Sequence, residues 1–380
     1  MEYTEIIKFF IIFLLGLLFL NYLRKILHVS QVRTNLIYFY HTIFMFLRYY
    51  YGENNPDDAP SYFLWATTDI FNEISFKSHF YLIYLVRFLN LKLDFNYIQV
   101  CLIFNIIGSI GLIFLVSILQ NIFYKNYTNT DRFIILFLVL LPSLNFYTSS
   151  IGKDAIIITA SSMFLYSILR INNRIILFIF SIAIITVIRP YVGFFIFIAF
   201  IIFYVLNIFK FHFILNIFIL FFIATLVTFG SSALLTEYDI KFNNIDVIYQ
   251  FIESRQSSYQ QSNTYTNLQE IFFLFRPVSY LFRPFIFEVN NPLMLVASLE
   301  NLFLLFVFCY YILRINLKKI FFNKDLQFIF IFSSVFLIFL SNITPVLGMA
   351  VRQKWMILIF MIYLLFALSK NSKNTKNNYL

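Results

Sequence analysis

The chain has 380 residues, of which 61% are hydrophobic and 12% charged, with a mean hydropathy of +0.82. A typical soluble domain has about 45–50% apolar and about 25% charged residues, so this composition leaves too few polar groups to cover a water-facing surface. A soluble enzyme, a disordered tail and a nucleic-acid-binding domain are excluded, and the net charge of +10 is a topology signal, because Lys and Arg collect on the cytoplasmic side of a membrane chain.

A helix needs about 20 apolar residues to cross a bilayer, with a range of about 17–25. In chain order the apolar runs are 6–23, 97–119, 133–147, 155–169, 175–188, 191–208, 211–235, 293–313, 326–340 and 355–368. They predict a single all-α polytopic domain over 1–380 with about ten transmembrane helices, in a range of about 8–12. β-barrel spans are excluded, because the runs do not alternate polar with apolar. The first run is not a cleaved signal peptide: Asn21, Tyr22, Leu23, Arg24 and Lys25 follow it, with no small-residue cleavage site. The stretch 79–91 is apolar but broken by Arg87 and reads as interfacial or re-entrant. Cys101 and Cys309 both lie in apolar runs, so no disulfide framework is offered.

The loops after even-numbered runs hold Lys125, Arg132, Arg170, Arg174, Lys210, Arg314, Lys318, Lys319 and Lys324, and the tail 369–380 adds Lys370, Lys373 and Lys376. Only Asp131 and Asp325 oppose them. This places the amino terminus, these loops and the tail in the cytoplasm. Arg24, Lys25 and Arg33 dissent, because they follow the first run directly. The long outer loops are then about 24–96 and 236–292, and the short ones 148–154, 189–190 and 341–354. No internal repeat is evident, which disfavours a transporter built from repeated halves.

The unusual polar clusters all fall on the outer side. Asp57 and Asp58 sit in a proline-flanked stretch that suits a solvated turn, a base or a cation site. Gly152-Lys153 is no phosphate loop, since the earlier glycine of that motif is missing. Ser150 or Asp154 can cap the next helix, and the same free N–H groups with Lys153 can hold an anion. Arg189-Pro190 joins two apolar runs, where an arginine either snorkels or faces a partner. The region 238–258 has a weak helical pattern, and 256–269 is rich in Ser, Gln, Asn, Thr and Tyr. Arg276-Pro277 and Arg283-Pro284 follow in aromatic surroundings, with Glu288 close behind. This suits an interfacial hairpin or a clamp on a phosphate at headgroup level. Glu300 lies about two turns into the next run, paired or facing a wet cavity. Arg352 and Lys354 flank the last run beside the interface anchor Trp355. Together Lys153, Arg189, Arg276, Arg283, Arg352 and Lys354 gather near the outer surface, where a lipid pyrophosphate would meet them.

The Asp-Ala-x-x-Tyr-like turn (Asp58 to Tyr62), the Ser-x-Gly-Lys-Asp span start (Ser150 to Asp154), Arg189-Pro190, the Arg-Pro-x-x-x-Glu run (Arg283 to Glu288) and Arg352-Gln353 carry a resemblance. In order and spacing the chain resembles the bacterial polytopic polymerases of surface-polysaccharide repeat units, O-antigen and capsule polymerases of the Wzy type. The resemblance implies a GT-C-like fold with a large outer loop, in the bacterial inner membrane. It implies the joining of undecaprenyl-pyrophosphate-linked oligosaccharides at the periplasmic face, without a nucleotide sugar, cofactor or metal. Membrane lipids surround such a protein, a chain-length regulator is a further partner, and nucleic acid is none. On this resemblance Arg189, Arg276, Arg283 and Arg352, supported by Lys153, would stabilise the departing pyrophosphate. Asp58, Glu288 or Asp154 would take the proton of the attacking hydroxyl. A single-sugar transferase using a lipid-linked donor and a flippase for lipid-linked oligosaccharide are the competing expectations. A membrane acyltransferase ranks below them, because His28, His41, His79 and His212 sit in no catalytic company.

Overall fold

The computed structural model describes residues 3–55, 57–68, 78–123, 128–207 and 264–369. The expected run 211–235, the loop segment 236–263 and the tail beyond Ser369 lie outside them. Every other apolar run falls on a helix, and no strand occurs among the described residues.

The helices are α1 (Tyr3–Ile26), α2 (Gln31–Asn54), α3 (Asp58–Thr67), α4 (Ser78–Leu93), α5 (Tyr97–Ile122), α6 (Asn129–Val139), α7 (Pro142–Thr148), α8 (Lys153–Ile168), α9 (Ile175–Ile188) and α10 (Pro190–Asn207). After the central gap come α11 (Arg276–Phe282), α12 (Pro292–Ile312), α13 (Lys318–Phe322), α14 (Lys324–Ile343), α15 (Leu347–Gln353) and α16 (Trp355–Ser369). Five of these, α1, α5, α10, α12 and α14, are long and apolar enough to cross a membrane. The count rises to 7 if the bent pairs α6–α7 and α15–α16 are each one span. Large apolar side chains such as Leu15, Leu18, Ile176 and Ile179 are exposed on the outside of the bundle, which suits contact with lipid.

Local chemistry sets several of the helix starts. Asn96 and Gln99 form a capping box at α5, and Thr128 and Asp131 form one at α6. Asn291 caps α12 ahead of Pro292. The central helix α5 is the most enclosed of the five spanning helices. Two glycines let its neighbours come close: a Cβ at Gly108 would lie 2.3 Å from the Thr148 carbonyl oxygen, and one at Gly111 would lie 2.7 Å from Thr159 Cα.

The first outer loop expected over 24–96 is largely helix. The 24 residues of α2 reach about 36 Å, enough to cross a bilayer. Arg33, His41 and Arg48 keep this stretch below the hydropathy of a spanning run, yet His41 and Arg48 are wholly buried and held by protein partners. α2 runs antiparallel to α1, with Phe13 stacked on Tyr38 and Asn21 bonded to Asn35. α1 therefore runs parallel to α5. Gln99 donates to the Glu5 carbonyl oxygen at one end, and Ser117 donates to that of Leu27 at the other.

The start of α1 and the end of α16 lie at opposite ends of the bundle, where the charge pattern predicts that both termini share one side. The start of α1 sits beside Asp94, whose carboxyl is held below its usual range by the hydrogen-bonded Lys8 ammonium at 2.6 Å. The end of α16 lies at the opposite end of the bundle, where Phe366 packs on Phe123 and the Leu368 carbonyl oxygen accepts from Asn316 N. Arg24, Lys25 and Arg33 lie at that same far end, with Arg132, Arg170, Arg174, Arg314, Lys318, Lys319 and Lys324, so the dissent in the charge pattern disappears. The expected interfacial stretch is α4. Ser78 at its start bonds Lys153 and Asp94 just past its end bonds Lys8, so α4 lies across the end that holds the polar clusters.

In a background with Cys101 and Cys309 replaced by serine, single cysteines at Ser30 and Asn54 should label from opposite faces of sealed membranes with an impermeant maleimide. Leu317→Cys should sort with Ser30. Labelling of both α2 ends from one face would show that α2 does not cross.

Candidate functional site

Asp58, Asp154, Arg189 and Arg352 come from four separate places in the sequence and meet at one end of the bundle. Asp154 is in the first turn of α8, and its carboxylate is 7% exposed. One oxygen accepts from Arg189 Nη2 at 2.6 Å, and the other accepts from Arg352 Nε. Arg352 Nη1 also donates to Asp58, in the first turn of α3, whose carboxylate is 50% exposed. The result is an alternating Asp58–Arg352–Asp154–Arg189 chain that runs from the surface inward. It is electrically balanced, with two carboxylates facing two guanidiniums.

Each position has a local cause. Arg189 is the single residue between α9 and α10, held there because Pro190 opens α10 and the Arg189 N–H still bonds the Ile185 carbonyl oxygen. Its Nη1 donates to the Tyr191 hydroxyl at 2.5 Å. Arg352 stands in the last turn of the short α15, just before the chain bends by 55° into α16.

The remaining expected residues lie elsewhere. Arg283 and Glu288 pair with each other, Arg283 Nε lying 2.8 and 3.1 Å from the two carboxylate oxygens, and Glu288 also accepts from Phe285 N. Glu288 is thus committed to shaping its own loop, and nothing brings it to Asp154. Arg276 donates to the Ile271 carbonyl oxygen at 3.0 Å and to Asn342 Oδ1 at 2.7 Å, which ties its segment to the end of α14. Lys153 adjoins Asp154 in sequence, but its ammonium reaches Ser78 Oγ at 2.5 Å.

Sequence reasoning missed Arg48. It is fully buried in the last turns of α2, and its guanidinium grips Asp57 through Nε at 3.1 Å and Nη2 at 3.3 Å. Its Nη1 donates to the carbonyl oxygens of Tyr147 at 2.8 Å and Phe146 at 3.3 Å, at the C-terminal end of α7. Arg48 thereby fixes the turn that presents Asp58. A second buried polar group lies where the two bent helix pairs break. Glu300 Oε1 accepts from Ser143 N at 2.6 Å at the start of α7, Lys354 Nζ donates to Asn301, and Trp355 Nε1 donates to Ser143 Oγ at 3.2 Å. The sequence places Glu300 within an apolar run and Lys354 at the edge of one, and the structure supplies their partners.

Compared with family models, curated proteins and solved structures, the chain matches none.

Burial separates the two aspartates. Asp154→Asn removes the counter-charge of the buried Arg189 and one of the two that Arg352 holds, and should destabilise the fold by about 3–5 kcal/mol. Asp58→Asn, on the wet end of the network, should cost under about 1 kcal/mol. Thermal unfolding in detergent checks the ranking. Equal losses would mean that Asp154 is not the buried keystone.

Proposed function

We propose that this membrane-embedded protein polymerises undecaprenyl-pyrophosphate-linked oligosaccharide repeat units during O-antigen or capsule biosynthesis. The observation that carries this reading is the convergence of Asp58, Asp154, Arg189 and Arg352 at one end of the bundle. The end opposite gathers the basic loop residues, which supports a cytoplasmic assignment for that end and a periplasmic one for the site. With α2, the shorter α8 and α9 and each bent pair counted, the described helices make about ten crossings, α1 starting at the outer end and α16 finishing at the inner one. A GT-C-like arrangement in the bacterial inner membrane is part of this proposal.

The chemistry follows from the polarity of the cluster. A hydroxyl of the incoming unit attacks the anomeric carbon of the growing chain. A new C–O bond forms, and the bond from that carbon to the lipid pyrophosphate breaks, the electron pair leaving on the phosphate oxygen. Arg352 and Arg189 stabilise that developing charge. Asp58 has the exposure to reach a substrate hydroxyl and accept its proton. Asp154, held by two guanidiniums, serves as the anchor that aims them. Arg276, Arg283 and Glu288 hold the segment 271–288 in shape through their own contacts.

A second reading is export of the lipid-linked unit. The two bent helix pairs, with Glu300, Asn301 and Lys354 buried at their breaks, favour it, because discontinuous helices with buried polar groups also build transport paths.

Arg352→Ala should lower polymerisation about 10²-fold or more, leaving single-repeat chains on the cell surface at normal protein level. Arg283→Ala, outside the cluster, should have a smaller effect. Loss of surface single repeats together with long chains would favour export. Normal chain lengths in Arg352→Ala would end the polymerase reading.

A further inference from the structure

Two polar atoms beside the cluster are left without a partner. Arg189 is 9% exposed, and its Nε–H finds no acceptor among the described residues, although both terminal nitrogens of the guanidinium are bonded. Tyr280, in the middle of α11, is 5% exposed, and its hydroxyl also lacks a partner among them. The helix α11 that carries Tyr280 packs against α15, which carries Arg352, and against α14, on which the ring of Tyr191, the partner of Arg189, also rests. A buried donor left unbonded is costly, and two in one neighbourhood mark a place where something else completes the set.

The chemistry of the pair narrows what that is. Arg Nε–H can only donate, and a tyrosine hydroxyl can donate as well as accept. The missing member is therefore an acceptor. A guanidinium edge matches the oxygens of a phosphate, the group that the polymerase reading brings to this cluster. Resting on the polymerase reading above, we infer that Arg189 Nε and Tyr280 Oη both bind the phosphoryl oxygens of the lipid-linked diphosphate. Tyr280 is thereby a substrate-binding residue. It links α11 to the ion network, although the two arginines of that segment are engaged elsewhere.

The test uses the full-length protein in nanodiscs of zwitterionic phospholipid, with undecaprenyl diphosphate as the probe, undecaprenol as the control and binding read by native mass spectrometry. The wild type should bind the diphosphate well above undecaprenol. Tyr280→Phe, which keeps the ring and removes the hydroxyl, should weaken diphosphate binding at least about tenfold and leave undecaprenol unchanged. Equal diphosphate binding by Tyr280→Phe and wild type would overturn the assignment while leaving the polymerase reading standing. A wild type that does not prefer the diphosphate would remove that reading, and this assignment with it. If phosphatidylglycerol displaces the diphosphate, and Tyr280→Phe weakens both alike, the pair holds a phospholipid headgroup and the assignment fails. Should Tyr280→Phe not fold, Arg189→Lys carries the same test, since it removes the Nε–H and keeps the charge.

Discussion

A carboxylate buried beside two guanidiniums constrains this protein more than any other contact. Asp154 sits under 10% exposed at the head of α8, where an unpaired charge would be expensive. Arg189 and Arg352 supply its counter-charges, and each is fixed by a different part of the chain. The hairpin α9–α10 is pulled toward α8 through one of them, and the bent pair α15–α16 through the other. Asp58 extends the network to α3. Four distant segments are thus registered by a few hydrogen bonds, in a bundle whose apolar contacts with lipid and with each other are too alike to specify a unique arrangement.

The short helix α7 shows the same rule at work on the backbone. Pro142 interrupts what would be one span and frees backbone groups on both sides of the break. Asn145 Nδ2 takes up the carbonyl oxygens of Val139 and Leu141 at 2.9 Å each. Glu300 accepts from the freed N–H of Ser143, and Arg48 covers the carbonyl oxygens at the far end. A negative charge at the N-terminus and a positive one at the C-terminus match the helix dipole. Because Arg48 also holds Asp57, α7 joins the polar group at the helix breaks to the turn that carries Asp58. The site and the broken helices are one mechanical unit, which keeps the export reading in view beside polymerisation.

Much of the frame is legible in the sequence, because apolar length is a strong local signal. Every apolar run within the described residues lies on helix, the run 133–147 as the bent pair α6–α7. The stretch 31–54 escaped for a physical reason: its polar groups turn inward and find partners, so its mean hydropathy understates its fitness for the bilayer. The charges Arg24, Lys25 and Arg33 fit the turn between α1 and α2, at the end of the bundle that also holds the other basic loop residues. In the site, cations at the ends of apolar runs singled out Arg189 and Arg352 correctly as members of one cluster. The same rule grouped Arg276 and Arg283 with them, because proximity in sequence to a membrane edge cannot distinguish an arginine aimed at the cluster from one satisfied by its own loop. Arg48 and Tyr280 left no signal of their own. A lone arginine or tyrosine in an apolar helix looks the same whether it is structural or functional, and only the partners it finds or lacks set it apart.

Charge balance then governs how the cluster can work. Asp58 and Asp154 together neutralise Arg352 and Arg189, so an anion that fills the open Arg189 Nε–H gains most when it also takes over the partner of one of the carboxylates. Asp154 is buried and doubly paired, and its departure would leave Arg189 without a counter-charge and Arg352 with Asp58 alone. Asp58 is half exposed, holds one guanidinium and sits on a turn anchored from below by Arg48. It is the member that can yield. On the polymerase reading, a lipid diphosphate entering the site displaces Asp58 from Arg352, and the freed carboxylate is left beside the substrate able to take a proton. Binding of the leaving group and exposure of the base would then be one event, so a hydroxyl is activated only when a diphosphate is in place to depart.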